Sequence, residues 1–127
     1  MAVRRGEIYW VDFEPVKGSE QGGLRPALVV QNDAGNAASP TIIVAAMTRR
    51  VPPRRYPFVV VVSAIESGLN EVGAVNCAQL TTIQQAGPAS RLMPARREDD
   101  SVQPIGRLGT ESMAAVDAAL RYNLGLR

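Results

Sequence analysis

Apolar and polar positions alternate near the start of the chain, in the segment GEIYWVDF that ends at Phe13. A period of two places Tyr9, Val11 and Phe13 on one face of an extended segment. The same period places Ile8 and Trp10 on the opposite face. This alternation predicts a first β-strand with side chains packed on both of its faces.

Four further segments are predicted to be strands, and the first two of them are continuous apolar runs rich in β-branched residues, which favours buried strands. Turn-forming residues separate them, most clearly in NDAGNAASP (32–40), which we expect to be a turn-rich connection. Five short strands with turns between them predict a small barrel or a strongly curved sheet. The four segments are ALVVQ (27–31), TIIVAAM (41–47), PFVVVVS (57–63) and GAVNCAQLTTI (73–83), the last of them bent near its middle.

The apolar period changes to a helical one near the end of the chain, in GTESMAAVDAALRYNLGL. Thr110 suits the N-cap of such a helix, Glu111 suits its first turn, and Gly125 suits its C-cap. The pattern therefore predicts a C-terminal amphipathic helix. Its apolar face is formed by Met113, Val116, Leu120 and Leu124.

The chain has 127 residues, the size of one domain, and its 46% of hydrophobic residues suffice for one core. We find no internal repeat, so residues 1–127 are predicted to form a single domain, mainly β with a C-terminal helix. The segment QQAGPASRLMPARREDDSVQP (84–104) is rich in proline, glycine and charge. We expect it to be a mobile excursion with little regular structure.

Composition excludes several function classes. Histidine is absent, which rules out imidazole acid–base pairs, histidine-dependent triads and most zinc sites. A single cysteine, Cys77, precludes an internal disulfide and fits a reducing cytoplasm. The chain starts without a long apolar region, and no run approaches the ~20 residues of a membrane span. We therefore expect a cytoplasmic protein that makes no use of a membrane.

Arginine dominates the basic residues, since Lys17 is the only lysine among 14 of them. The planar guanidinium suits two-pronged contact with phosphate or carboxylate groups. Genomic base composition also favours arginine over lysine, so this bias alone does not identify a partner.

A glycine-rich loop, GSEQGGLRP, precedes the second strand. Its glycines allow a close backbone approach to a ligand, and its polar side chains supply hydrogen-bond donors and acceptors. Pro26 biases Arg25 towards an extended conformation, which holds this arginine at the mouth of the loop. A flexible hairpin with a surface arginine explains the same residues.

Two arginine pairs flank a Pro-Pro turn in MTRRVPPRRYP, just after Thr48. Together they predict a compact positive ridge that attracts a phosphodiester backbone or an acidic peptide. A solubilising hairpin tip is the alternative. The pairs are Arg49 with Arg50 and Arg54 with Arg55.

Polar residues interrupt the fifth apolar strand in NCAQLTTI. Such side chains can form hydrogen bonds with the edges of unpaired bases. A strand face exposed to solvent is the alternative explanation. Cys77 is expected to be a small core residue. The polar positions are Asn76, Gln79, Thr81 and Thr82. A cation site at Glu98, Asp99 and Asp100 is disfavoured, because oxygen ligands must converge from several places.

These segments, in this order, resemble the MazF/PemK family of toxin endoribonucleases. The resemblance runs through RGEIYWVDFEPVKGSEQGGLRPALVVQND, IIVAAMT, VNCAQLTTI and VDAALRYNLGL, and its N-terminal part is the most specific. It implies an SH3-like small barrel that works as a homodimer. It also implies sequence-selective cleavage of single-stranded RNA without a metal or other cofactor, and neutralisation by a cognate, MazE-like antitoxin that is acidic and partly disordered.

The resemblance carries over residue by residue. Arg25 and Thr48 match the catalytic pair of the family, and Gln79 matches a position that helps to hold the RNA. The loop residues Ser19, Glu20 and Gln21 match the segment that borders the cleavage site. The longer, more highly charged segment before the last helix departs from the family pattern.

RNA supplies its own nucleophile, because the ribose 2′-OH can attack the adjacent phosphorus to leave a 2′,3′-cyclic phosphate and a 5′-OH. Arg25 is then expected to stabilise the charged transition state, while Thr48 donates to a non-bridging oxygen. Glu20 or Arg25 carries the proton, and both remain open, although a guanidinium resists deprotonation. Arg49 and Arg50, with Gln79 and Thr81, are expected to bind RNA.

Two other functions fit the same barrel. One is a non-enzymatic poison of a protein target such as DNA gyrase, which would not need Arg25 together with Thr48. The other is a plain single-strand RNA-binding barrel, which would be expected to expose more aromatic residues than this chain, with 5%, contains.

Overall fold

A computed structural model describes residues 3–13, 23–95 and 101–127. Within these ranges the chain forms seven strands and three helices. The strands are β1 (Glu7–Asp12), β2 (Leu24–Val29), β3 (Thr41–Thr48), β4 (Val59–Val62), β5 (Gly73–Gln84), β6 (Leu92–Met93) and β7 (Gly106–Arg107). The helices are α1 (Asp33–Ala38), α2 (Ala64–Ser67) and α3 (Thr110–Leu124).

The strands form one antiparallel sheet in the order β4-β5-β3-β2-β1-β6, with β7 also paired to β1. This confirms all five strands predicted from the sequence, with small shifts at their ends. The result is a mostly β half-barrel of antiparallel strands with a C-terminal helix, as expected. Among the described helices, none has the length and apolar character needed to cross a bilayer.

Both faces of the sheet carry a hydrophobic cluster, as the alternation in β1 predicts. Tyr9, Val11 and Phe13 belong to one buried cluster. Ile8 belongs to the other, and Trp10 packs against that second cluster while remaining partly exposed. The second cluster lies beneath α3, which contributes Val116 to it.

The predicted apolar face of α3 is correct except at its end. Val116 is fully buried, and Met113 and Leu120 pack against the same cluster. Leu124 is 53% exposed, so its assignment to the buried face is wrong. Residues 121–124, the last turn of α3, are all exposed, although the Asn123 side chain still donates to the Cys77 carbonyl at 3.1 Å.

The ends of α3 are capped differently from one another. Gly125 is the C-cap, as predicted, with φ +70°. The predicted N-cap, Thr110, is instead the first helical residue, and Gly109 is the N-cap without a side-chain cap bond. The Glu66 carboxylate of α2 takes over this role, accepting from the Gly109 N–H at 2.6 Å and the Ser112 hydroxyl at 2.7 Å.

Strand β5 is bent, as predicted, because its pairing with β3 changes register. Ala45 pairs with Leu80, whereas Met47 pairs with Val75. More residues of β5 than of β3 therefore lie between the two pairs, which forms a bulge and increases the local curvature. The first part of β5 also pairs with β4.

Two segments predicted to be irregular contain regular structure. The 32–40 connection contains α1, which starts after the Asn32 side chain accepts from the Gly35 N–H at 2.7 Å. The 84–104 segment contains β6, in which Met93 pairs with Trp10 of β1. Both elements depend on partners distant in sequence, which local composition does not encode.

Candidate functional site

An open groove of about 730 Å³ lies at the end of the sheet where β2 begins and β3 ends. It combines guanidinium groups, a hydroxyl and an indole ring on one surface. The groove is therefore suited to a ligand with both anionic and apolar parts. Its lining residues are Trp10, Leu24, Arg25, Pro26, Met47, Thr48, Arg49 and Arg50.

The antiparallel pairing of β2 with β3 brings Arg25 and Thr48 together. The pairing of these two strands ends with Ala27 opposite Ala46. Pro26, the next residue of β2 towards the groove, cannot donate a backbone hydrogen bond to β3. Arg25 and Thr48 each lie two residues beyond this last pair on their own strands, and both line the groove.

The Arg25 guanidinium forms only a weak hydrogen bond with the described part of the protein. Its Nε lies 3.5 Å from the backbone oxygen of Met47, which is the long limit for a hydrogen bond. Arg25 forms no ion pair with any carboxylate in residues 3–13, 23–95 or 101–127. Half-buried and without a neutralising partner in these ranges, it retains its capacity for an anion.

The Thr48 hydroxyl is oriented by the backbone that follows β3. Its Oγ1 accepts a hydrogen bond from the Arg50 N–H at 3.1 Å. This local turn occupies one lone pair and leaves the hydroxyl hydrogen available for donation into the groove. Thr48 is therefore a suitable donor to an oxygen of a bound phosphate.

Arg49 and Arg50 extend the positive surface of the groove, and both side chains are exposed. The Arg49 guanidinium lies 6.0 Å from the centroid of the Trp10 ring, within range of a cation–π contact. Elsewhere, Arg5 pairs with Asp117 at 2.7 Å, and Arg107 pairs with Glu7 at 3.1 Å. Thus acidic residues neutralise arginines on other surfaces, but none in the described ranges neutralises the groove arginines.

The compact ridge expected from both arginine pairs does not form. Arg54 lies 5.9 Å from the centroid of the Tyr56 ring, and Arg55 lines a separate cavity between β4 and α3. Only Arg49 and Arg50 reach the groove. The turn separates the pairs, because β4 pairs with β5 and not with β3.

Gln79 and Thr81 lie outside this groove. Gln79 is in the bulged part of β5, and Thr81 pairs with Val44 in the regular part. Thr81 lines a different cavity of about 210 Å³, which also contains Asp12 and Arg91. The structure thus brings together Arg25, Thr48, Arg49 and Arg50 from the predicted set, but not these two polar residues.

The remaining predicted site residues, Ser19, Glu20 and Gln21, lie outside the described residues. The Phe13 N–H donates to the Gly23 carbonyl at 2.9 Å, which joins β1 and β2 at the base of the loop. The suggested cation ligands Glu98, Asp99 and Asp100 also lie outside the described residues.

Cys77 is a core residue, as predicted. Its side chain is fully buried in the cluster beneath α3, and burial raises the pKa of its thiol to about 11. A protonated, inaccessible thiol is a poor nucleophile, so Cys77 is not part of the candidate site.

Trp10 is the groove residue that sequence reasoning missed. Alternation identifies it only as a position on one face of β1, and nothing local distinguishes a core tryptophan from a ligand-contacting one. Its place at the groove depends on pairing with Pro26 on one side and Met93 on the other. The second of these partners lies in a segment that was expected to be irregular.

The chain is similar in sequence to known proteins. Residues 4–124 match the family described as PemK-like, MazF-like toxin of type II toxin–antitoxin systems. The chain is 40% identical over 126 residues to endoribonuclease EndoA of Bacillus subtilis, covering 99% of this chain and 97% of that protein.

Solved structures show the same fold. MazF (Form-I) of Deinococcus radiodurans superposes with a TM-score of 0.73 at 26% identity, covering 99% of each chain. A mycobacterial endoribonuclease in complex with its cognate antitoxin also gives 0.73, at 24% identity, covering 99% of this chain and 98% of that one. A MazE–MazF complex (Form-II) of D. radiodurans gives 0.68 at 27% identity, covering 100% and 99%.

Proposed function

Since the chain belongs to the PemK-like, MazF-like family of toxins of type II toxin–antitoxin systems, we propose that it cuts single-stranded RNA at selected sequences, without a metal, and so inhibits translation and growth. The chain is an endoribonuclease. The observation that carries the mechanism is the shared groove, in which Arg25 and Thr48 meet beside two further arginines.

The proposed reaction is an internal transesterification. The ribose 2′-oxygen forms a bond to phosphorus, the bond from phosphorus to the 5′-oxygen breaks, and the products are a 2′,3′-cyclic phosphate and a 5′-OH. A proton leaves the 2′-OH, and another is delivered to the departing 5′-oxygen. Holding the reacting atoms in line supplies a large part of the rate.

Arg25 stabilises the negative charge that accumulates on the phosphoryl oxygens. Its weak tether to Met47 leaves the guanidinium able to form two parallel hydrogen bonds to a phosphate. Thr48 donates its hydroxyl hydrogen to a non-bridging oxygen, while the Arg50 N–H fixes its Oγ1. Glu20 is proposed to accept the proton from the 2′-OH and to return a proton to the departing 5′-oxygen, with Arg25 as the alternative carrier.

RNA binding extends beyond the reacting phosphate. Arg49 and Arg50 contact backbone phosphates from the rim of the groove. Ser19 and Gln21 border the cleaved position. Gln79 and Thr81 lie along β5 away from the groove, so in this proposal they contact nucleotides further along the strand.

The protein is proposed to act as one domain spanning residues 1–127, as a homodimer in the cytoplasm. Support for self-association comes from an apolar cavity of about 560 Å³ between the edge strand β4 and α3, lined partly by Tyr56 and Tyr122. Tyr122 is 61% exposed at this cavity. Light scattering compares the mass of the wild-type protein with the mass of a Tyr122→Asp variant, which tests whether this surface mediates self-association. The Ile65→Asp variant is the control, because Ile65 is 95% exposed on α2.

The cognate partner is proposed to be an acidic, partly disordered antitoxin of the MazE type. A mycobacterial relative of the same fold is in complex with its cognate antitoxin. The unneutralised arginines of the groove favour an acidic chain that covers the same surface as RNA.

One assay tests this function. The purified protein is incubated with mixed single-stranded RNA in EDTA, and the cut ends are mapped chemically. Discrete cuts that carry 2′,3′-cyclic phosphate and 5′-OH ends are expected. Binding without cuts would favour the plain RNA-binding barrel, and neither binding nor cuts would favour the gyrase-type poison.

A further inference from the structure

An apolar hollow of about 490 Å³ adjoins the groove that contains Arg25. Trp10 and Leu24 line both cavities, so the two form one continuous surface. Leu24 is 60% exposed and Met93 is 36% exposed, and with Trp10 they line one hollow, so these apolar side chains form a contiguous patch. The hollow, called here the Trp10 hollow, is lined by Trp10, Leu24, Met93, Pro94 and Ala95.

The aromatic wall of the Trp10 hollow is held in place from both sides. Trp10 lies in β1 and pairs with Pro26 of β2 and with Met93 of β6. Directly opposed residues of antiparallel strands present their side chains on the same face, so the indole has a fixed neighbour on each side. Part of the ring also packs against the buried cluster beneath α3. The hollow is therefore largely preformed.

The two cavities together match the chemistry of a nucleotide. A phosphate is anionic and suits Arg25 and Arg49, whereas a nucleobase is a flat aromatic ring whose faces suit an indole and aliphatic side chains. Bases stack on aromatic side chains without needing a particular sequence of hydrogen bonds. The Arg49 guanidinium lies 6.0 Å from the Trp10 ring centroid, so a cation is already present at the junction of the two cavities.

Resting on the proposed function, we propose that the Trp10 hollow holds a nucleobase next to the scissile phosphate. Stacking there fixes the position of the strand relative to Arg25 and Thr48. It also makes cleavage depend on the identity of that base, since purines and pyrimidines fill the hollow differently. A protein segment is the competing occupant, but continuity with the groove favours the strand that is being cut.

The test compares binding of two DNA strands of equal length, which lack the 2′-OH and so resist the proposed reaction. One carries mixed bases and the other is abasic, so they differ only in the presence of bases. Trp10→Leu is expected to weaken binding of the base-bearing strand by roughly ten-fold while leaving the abasic strand unchanged. Trp10→Phe keeps an aromatic face and is expected to restore most of the affinity.

Cleavage gives the second readout. In a mixed RNA pool, Trp10→Leu is expected to shift the distribution of cut sites, whereas loss of a purely structural residue would lower every cut equally. Leu24→Ser changes the exposed wall of the hollow and tests the same idea if Trp10→Leu fails to fold. The matched control is Ile65→Ala, which removes an apolar side chain that is 95% exposed on α2.

Each result of the binding and cleavage experiments has a different meaning for the Trp10 hollow. Equal losses for base-bearing and abasic strands would mean that the hollow acts on the backbone, which overturns the proposal. Unchanged binding and cut sites in both hollow variants would leave the hollow to a protein partner, which also overturns it. If the wild-type protein cuts no RNA in EDTA, the proposed function fails by itself, whereas cutting that ignores the hollow variants rejects only this inference.

Discussion

The Nε of Arg25 lies 3.5 Å from the backbone oxygen of Met47, the residue immediately before Thr48. This contact joins the start of β2 to the end of β3 at the groove. Because the contact is long and its acceptor is uncharged, the guanidinium can exchange it for a phosphate at little cost. The arrangement suits an arginine that moves onto its ligand.

Removal of the Arg25 guanidinium is expected to lower the activity strongly. Arg25→Ala should lower the single-turnover cleavage rate by about 10²-fold or more, because one preorganised donor to a charged transition state is typically worth roughly 3 kcal/mol. Arg25→Lys keeps the charge but loses the planar fork, so it should recover only part of the rate.

The matched control is Arg54→Ala, since Arg54 lies near Tyr56 and not in the groove. Circular dichroism and light scattering establish that each variant is folded and unchanged in mass. A folded Arg25→Ala protein that cuts at the wild-type rate would remove Arg25 from the mechanism.

The hydroxyl of Thr48 is expected to matter more than its methyl group. Thr48→Val keeps the shape but removes the donor, and should lower the rate by roughly 10- to 100-fold, the value of a hydrogen bond to a charged group. Thr48→Ser retains the hydroxyl and the bond from the Arg50 N–H, so it should remain near wild type. Equal activity of the two variants would argue against a donor at this position.

Arg49 and Arg50 are expected to contribute affinity through phosphate contacts. Each alanine variant should weaken binding of single-stranded nucleic acid and reduce the slope of log K against log salt by about 0.7. Arg54→Ala again serves as the control. A slope that stays constant in the Arg49→Ala and Arg50→Ala variants would exclude phosphate contacts by these residues.

The junction of α2 with β7 requires glycine at position 68. Gly68 has φ +77°, and a Cβ there would lie 1.6 Å from the Ile105 carbonyl oxygen. Gly87 has φ +78°, but apart from its chain neighbours no atom of the described residues lies within 4 Å of a Cβ placed there. Gly87→Ala should therefore cost only the left-handed backbone strain, about 1–2 kcal/mol, whereas Gly68→Ala should cost clearly more. Chemical denaturation of both variants measures the difference.

Glu66 is expected to stabilise α3 in a pH-dependent manner. Its hydrogen bonds from the Gly109 N–H and the Ser112 hydroxyl hold the pKa of its carboxyl below the usual range. The unfolded chain therefore takes up a proton at higher pH than the folded one. The stabilisation is complete above the ordinary glutamate pKa of about 4.3 and is lost as pH falls through the lower folded-state value.

Thermal melts of wild type and Glu66→Gln check this sign. The gap in Tm should be widest above about pH 5 and should narrow as the pH drops below about 4. Glu71→Gln, at an exposed position, is the control. A difference in Tm that widens as the pH falls would mean that the pKa of Glu66 is raised in the folded protein, contrary to this prediction.

The sequence predicted the sheet well because its signals are local. The alternation in β1 and the apolar run of β3 directly reflect which side chains are buried, and the four valines of β4 favour a strand although only Val62 is buried. Helix α1 was missed because its sequence, DAGNAA, has weak helical propensity. Distant contacts stabilise it instead, including the Gln85 side chain, which donates to the Asn36 and Ser39 carbonyls at 2.7 and 2.8 Å.

The candidate site was only partly predictable for the same reason. Pro26 marked Arg25 as a backbone-restrained arginine, but the meeting of Arg25 with Thr48 depends on the pairing of β2 with β3. Spacing also suggested one ridge of four arginines, and the paths of β3 and β4 separate them. The Trp10 hollow was invisible in the sequence, because Met93 reaches Trp10 only through β6.

The hydrogen bond from the Phe13 N–H to the Gly23 carbonyl has a practical consequence for protein engineering. It joins β1 to β2 through the two described residues that flank positions 14–22. The entropy of joining the ends of a connecting segment changes little with its length. Connecting segments from related proteins are therefore expected to be exchangeable between Phe13 and Gly23, with the pairing of β1 and β2 kept.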